Sequence, residues 1–189
     1  MSKEFLDLRE LCSRKLIYSE QEATPWSEEL GLEGYILRES DFPYNTVLCR
    51  GDVECMFRKD PAGNDCVICD SQVLDVGNAA MRSIVFVGIC TWGFFTENFK
   101  LEFTDGTTEF ARAYFSDVCY PLFRAAQDNI GRDEQRFLDG CKIFCTFEGE
   151  RGKGYICYYR TEFPRKKILK RIHFPDNCLM NILAITLEN

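Results

Sequence analysis

The residues best suited to touch a ligand lie in TEFARAYF, residues 108–115. In an extended strand alternate side chains share a face, so Phe110, Arg112 and Tyr114 lie on one side and Ala111, Ala113 and Phe115 on the other. Two small alanines suit a crowded interior, which turns Arg112 and Tyr114 outward. A guanidinium meets phosphate or stacks on a base, and an aromatic ring stacks on any base. Lys100, in the preceding alternating run NFKLEF, adds a cation beside them. A solvated outer face with Tyr114 packed on a loop has the same pattern.

Further along, EGERGKG (148–154) sets Arg151 and Lys153 between glycines, which allow a phosphodiester backbone to approach. Glu148 and Glu150 offset that charge, and a flexible hairpin turn has the same composition. Tyr155, Tyr158 and Tyr159 follow as stacking surface or core. PRKKILKR (164–171) then concentrates five cations, Arg165, Lys166, Lys167, Lys170 and Arg171. It reads as a phosphate-contacting arm, a nuclear-import-like cluster, or the solvated face of a helix.

Cys49, Cys55, Cys66 and Cys69 cluster within a chain of eleven cysteines. Four thiolates complete a tetrahedral zinc site, but only Cys66 and Cys69 have the C-x-x-C spacing. Val67 and Ile68 between them read as strand, and alternation sends neighbouring strand positions to opposite faces. Core cysteines are the default reading, with zinc as the alternative. A single histidine, His173, between Ile172 and Phe174, reads as packing and leaves little for a catalytic triad. No phosphate loop of the Walker or Rossmann type is present, so no cofactor and no active site are expected.

Composition bounds these readings. The chain has 189 residues, 46% hydrophobic and 28% charged, as expected of a globular domain. A net charge of -7 excludes a generally basic coat. The last 49 residues are the exception, with nine basic against five acidic side chains. No apolar run is long enough for a spanning helix, and MSKEFLDLRELCSRK lacks the apolar stretch of a secretory signal, so an intracellular, non-membrane protein is expected.

The elements that must position these residues follow from periodicity. Residues 4–16 carry Phe5, Leu8, Leu11, Cys12 and Leu16 near helical spacing and predict a helix. An acidic connector follows, then a short strand, GYILRE. Val53, Cys55 and Phe57 alternate before Asp60-Pro61-Ala62-Gly63-Asn64, which predicts a hairpin returning through Cys66 to Val76. RSIVFVGICTWGFF is a long strand broken by glycines, and Thr104-Asp105-Gly106-Thr107 turns a hairpin between NFKLEF and TEFARAYF. A helix capped by Ser116 or Asp117, and strands GCKIFCTFEG and YICYYRTEF, complete the order β-β-β-α-β-β.

That order over about residues 82–163, with KLEFTDGTTEFARAYF as its second and third strands, resembles the OB-fold of replication-protein-A and telomere-end-binding proteins. The resemblance implies a mainly β protein: an extension over 1–80, a closed five-stranded barrel over 81–163, and a basic segment with a docking helix over 164–189. It also implies a non-catalytic subunit of a nuclear genome- or telomere-maintenance complex. Lys100, Arg112, Tyr114, Arg151, Lys153 and Tyr158 would contact single-stranded DNA or RNA. Arg165, Lys166, Lys167, Leu179, Ile182 and Leu183 would meet partner subunits. Two other readings stand beside it. One is an interaction subunit with little nucleic-acid affinity. The other is a Tudor-type reader of methylated partners in RNA silencing, gathering Trp92, Phe94, Phe95 and Tyr114 into a cage.

Overall fold

A computed structural model describes residues 2–22, 37–91, 93, 95–118, 141–149 and 152–189. Among these the chain is mainly β, with twelve strands and no helix. The strands are β1 (Lys3–Phe5), β2 (Ile17–Tyr18), β3 (Leu37–Arg38), β4 (Val47–Arg50), β5 (Val53–Met56), β6 (Val67–Asp70), β7 (Val73–Cys90), β8 (Phe95–Phe103), β9 (Thr108–Phe115), β10 (Cys141–Gly149), β11 (Gly152–His173) and β12 (Asp176–Glu188). Eight form one antiparallel sheet in the order β1-β12-β7-β11-β8-β9, with β10 beside β11 and β6 beside β12. β2 and β3 pair in parallel, and β4 and β5 form a separate hairpin.

The run IVFVGIC is apolar at almost every position because the second half of β7 is covered on both faces. Ile84, Phe86 and Cys90 enter one core with Phe99, Leu101, Ala111, Phe115 and Leu169. Val85, Val87 and Ile89 enter a second with Phe57, Phe144, Ile156 and Cys66. Gly88 sits where β7 meets β12 so closely that a Cβ would lie 2.4 Å from the Asn181 carbonyl oxygen.

The β8–β9 hairpin forms as the Asp-Gly signal predicts. Gly106 takes φ +81°, Phe103 N–H donates to Thr107 O at 3.0 Å, and Asp105 Oδ1 accepts from Thr107 N–H at 2.9 Å. Phe99, Leu101 and Phe103 face inward together, opposite exposed Asn98 and Lys100. β11 carries this hairpin on its second half. Its partner on β7 steps from Ser83 (opposite Glu162) to Met81 (opposite Lys167), so residues 163–166 bulge out opposite Arg82 alone. A bulge bends its strand and increases twist, and Pro164 is tolerated there because the ladder is already broken.

The closed five-stranded barrel is not what forms. β7 pairs with β11 and β12 and not with β8, so the ladder stays open. The sheet does curl. Thr161 Oγ1 donates to Arg112 O at 3.2 Å, and residues 116–118 lie against Cys90 (Cys90 N–H to Ser116 O, 3.1 Å; Val118 N–H to Cys90 O, 3.0 Å). A seam of isolated bonds stands where a barrel has a continuous ladder.

Other expectations are corrected. No helix spans 4–16. β1 pairs with β12, Leu6 and Leu8 join the first core, and residues 8–12 make only a turn, with Leu11 and Cys12 N–H donating to Leu8 O. A segment this short gains more from an edge ladder and core burial than from a marginal helix. The C-terminal docking helix is β12, buried from Met180 to Glu188 between β7 and the β1/β6 edge. Burial on both faces erased its alternation, which left the sequence helix-compatible. PRKKILKR lies inside β11. The turn at 60–64 forms, with Gly63 N–H donating to Asp60 O, but its flanks pair elsewhere, β5 with β4 and β6 with β12. β7 runs through residues 80/81 and β11 through 163/164, so the three sequence segments share one sheet. Most of the expected helix after Ser116 lies outside the described residues; Ser116 and Asp117 themselves are extended against Cys90. Among the described residues no helix is long and apolar enough to cross a membrane.

Candidate nucleic-acid interface

Directly paired residues of an antiparallel ladder point to the same face. Register therefore assembles the outer face of β7, β11, β8 and β9 row by row. Val73, His173, Lys100 and Phe110 are successive partners across the four strands. The adjoining row is Asp75, Arg171, Glu102 and Thr108. Arg112, opposite Asn98, extends the face beyond Phe110. Phe110 is 64% exposed, a large ring left in water in mid-strand, and Val73 is 43% exposed at the other end of its row.

The charges on this face are loosely paired. Glu102 has Lys170 Nζ at 3.2 Å, His173 Nε2 at 3.5 Å and Arg171 Nη1 at 3.6 Å. Arg171 Nε also lies 3.5 Å from Asp75. The Lys170 ammonium, helped by His173 and Arg171, holds the Glu102 carboxyl below the usual glutamate range. Lys170 reaches the cluster because β11 shifts register between Leu169 and Arg171, which inserts one extra residue. Four permanent cations, Lys100, Arg112, Lys170 and Arg171, thus share the face with two carboxylates, Asp75 and Glu102, on a chain of net charge -7.

Of the six residues expected to contact nucleic acid, the fold unites two. Lys100 and Arg112 are exposed on this face. Tyr114 shares their alternation, but it is 8% exposed and packs into the first core. Tyr158 belongs to the second core and donates its hydroxyl to Asp52 at 3.3 Å. Lys153 is exposed at the start of β11, remote in sequence and register from Lys100, and Arg151 lies outside the described residues.

The expected partner surface divides likewise. Arg165 and Lys166 are exposed on the β11 bulge. Lys167 is buried, ion-paired with Glu109, with its ammonium 4.4 Å from the centre of the Phe103 ring. Ile182 and Leu183 are buried in the first and second cores, and the Leu179 carbonyl accepts from Thr91 N–H at 3.0 Å. The chain itself uses these three. Of the cage aromatics, Phe95 packs on the first core with Tyr114, and Trp92 and Phe94 lie outside the described residues.

The four clustered cysteines do not converge. Cys49 is exposed on β4, Cys55 and Cys66 sit in the second core, and Cys69 sits in the first. Burial pushes the Cys55, Cys66 and Cys69 thiols well above their ordinary range, so all three are neutral. Among the described residues no group of three or more His, Cys, Asp or Glu is placed to hold a metal ion.

Alternation puts Phe110 on the side of Arg112, but Phe110 was not among the expected ligand contacts, and neither Lys170, Arg171 nor His173 was expected beside Lys100. The β11 residues had no legible signal, because their place beside Lys100 depends on a register set 70 residues away. A separate cleft of 510 Å³ opens between Arg38, Asp41 and Arg50 and the β10 run 144–147. Its rings Phe42, Phe144 and Phe147 are buried, and Arg38 is ion-paired with Glu20, so it presents neither an open ring nor a free run of cations. No protein-family model matches the chain, and no curated protein matches it.

Proposed function

We propose that this chain binds single-stranded nucleic acid without catalysis, through the outer face of β8, β9 and the second half of β11, as a nuclear subunit of a genome-maintenance assembly. One observation carries the reading: an exposed ring, Phe110, stands in register with Lys100 and His173 and beside Arg112, Lys170 and Arg171. Single-strand binding needs a stacking ring and cations that follow the backbone, and it needs no base-specific hydrogen bonds.

The test is the anisotropy of a labelled oligonucleotide, DNA and RNA in turn, titrated with the full chain between about 50 and 200 mM salt. Two phosphate contacts, at Lys100 and Arg112, give a slope of log affinity against log salt of about -1.4, and four, with Lys170 and Arg171 engaged as well, about -3. Lys100→Glu with Arg112→Glu should lower affinity at least about tenfold, and Phe110→Ala should cost about 1–3 kcal/mol with no change in thermal stability. Absence of wild-type binding at low salt overturns the reading.

A second reading is favoured by the apolar ends of the same row, Phe110 and Val73, and by the acidic total charge. It makes this face a protein-docking surface. Co-purification of a defined partner, lost in Phe110→Ala and insensitive to oligonucleotide, would support it.

A further inference from the structure

We propose that Glu102 is a resident placeholder for a nucleic-acid phosphate, and that Lys170, Arg171 and His173 around it form a phosphate subsite next to the stacking ring Phe110; this rests on the function proposed above. The geometry that points to it is convergence. Three side chains from one half of β11 aim at a single carboxylate on β8, at 3.2, 3.6 and 3.5 Å. Those separations are longer than the ~2.7–2.9 Å of a tight charge-assisted hydrogen bond. The participants also stay in contact with water: the Lys170 and Arg171 side chains are 41% and 40% exposed and Glu102 is 25% exposed.

Carboxylate and phosphate are both oxyanions that accept from ammonium and guanidinium groups, and arginine binds each with the same planar fork. Exposed ion pairs of this kind contribute little to stability, so exchanging Glu102 for a phosphate disrupts nothing in the fold. The register places the subsite two residues along β8 from Lys100, in the row next to that of Lys100 and Phe110 and on the same face. A strand whose base stacks on Phe110 would therefore carry its neighbouring phosphate toward Lys100 and His173, and then to Lys170 and Arg171. While Glu102 holds these cations, weak anions are kept off; a polyanion that engages Lys100 and Arg112 together can displace it.

The experiment compares Glu102→Gln with the wild type in the oligonucleotide titration. Release of the cations should raise affinity about three- to tenfold and steepen the salt slope by about 0.7 to 1.4, the equivalent of one or two more phosphate contacts. Glu97→Gln is the control. It removes the same charge from the same strand, but Glu97 accepts from Asn177 Nδ2 at 2.8 Å and its removal frees no cation of the cluster. It should leave the salt slope unchanged. Equal affinity and slope in Glu102→Gln and wild type, or an identical gain in Glu97→Gln, overturns the placeholder. If the wild type binds no oligonucleotide, the nucleic-acid reading fails, and tripolyphosphate then decides the subsite. Tighter tripolyphosphate binding by Glu102→Gln supports it, and equal binding by the two proteins rejects it.

Discussion

Asp65 shows how a single side chain fixes a segment that lacks regular structure of its own. It is buried, and its carboxylate accepts from Leu16 N–H at 2.8 Å, Ile17 N–H at 3.0 Å and Tyr44 Oη at 2.7 Å. It thereby ties β2 and the loop before β4 to the chain entering β6. Burial pushes its carboxyl up to about 6, against the pull of the Tyr44, Ile17 and Leu16 bonds. A carboxyl that binds its proton more tightly folded than unfolded makes stability fall as pH rises, here from about 4 through 6, by on the order of 3 kcal/mol. Glu22 and Asp7, held down at about 2 by Lys15 and Arg9, act oppositely; their contribution is present above about 4 and lost only in stronger acid. Urea unfolding across pH 4.5 to 7.5 should thus show lower stability at the upper end. Asp65→Ala should flatten that slope while destabilising the chain by about 2 kcal/mol or more at pH 7, since three donors lose their acceptor. Nothing local marks Asp65 out from Asp60, which sits five positions earlier as a half-buried turn residue bonded to Asn64. The donors that make Asp65 different come from residues 16, 17 and 44.

For the strands, legibility follows the number of covered faces. β8 and β9 have one face in water, so their two-residue period and their Asp-Gly turn could be read directly from the chain. The second half of β7, the first half of β11 and β12 from Met180 onward are covered on both faces, so their side chains report apolarity without direction. That is why IVFVGIC was legible as strand by its β-branched content, whereas NILAITL in β12 read equally well as helix. Gly88 is the tightest point of this central packing. Gly88→Ala should cost at least about 1–3 kcal/mol in urea or thermal unfolding, since the added methyl meets the backbone oxygen of Asn181, which has no rotamer by which to yield. An unchanged midpoint would contradict this close approach of β7 to β12.

For the molecule as a whole, the two chain ends are structural. β1 and β12 pair at Lys3 and Glu188, and Glu188 accepts from Ser83 Oγ at 2.7 Å while Lys3 and Arg160 lie within ion-pair reach. β12 gives Met180, Ile182, Ile185 and Leu187 to one core and Leu183 and Ala184 to the other. Removal of residues 176–189 should therefore abolish the cooperative urea transition seen by circular dichroism. A truncated chain that unfolds at the wild-type midpoint would return β12 to the part of a detachable docking segment. What the sequence determined by itself was local: β-rich character, the hairpin at Asp105-Gly106, the division of β9 into Ala111, Ala113 and Phe115 inside and Phe110 and Arg112 outside (Tyr114, expected outside, is buried), and Cys55, Cys66, Cys69, Cys90 and Cys157 as core. Each depends on side-chain period or turn chemistry within about ten residues. Only the tertiary structure decided that residues 3–5 and 176–188 are strands of the central sheet, that the sheet curls without closing, and that Arg171 and His173 stand in the rows of Glu102 and Lys100. Those outcomes depend on which strand edges meet, and edge pairing is a competition among distant segments that no local pattern encodes.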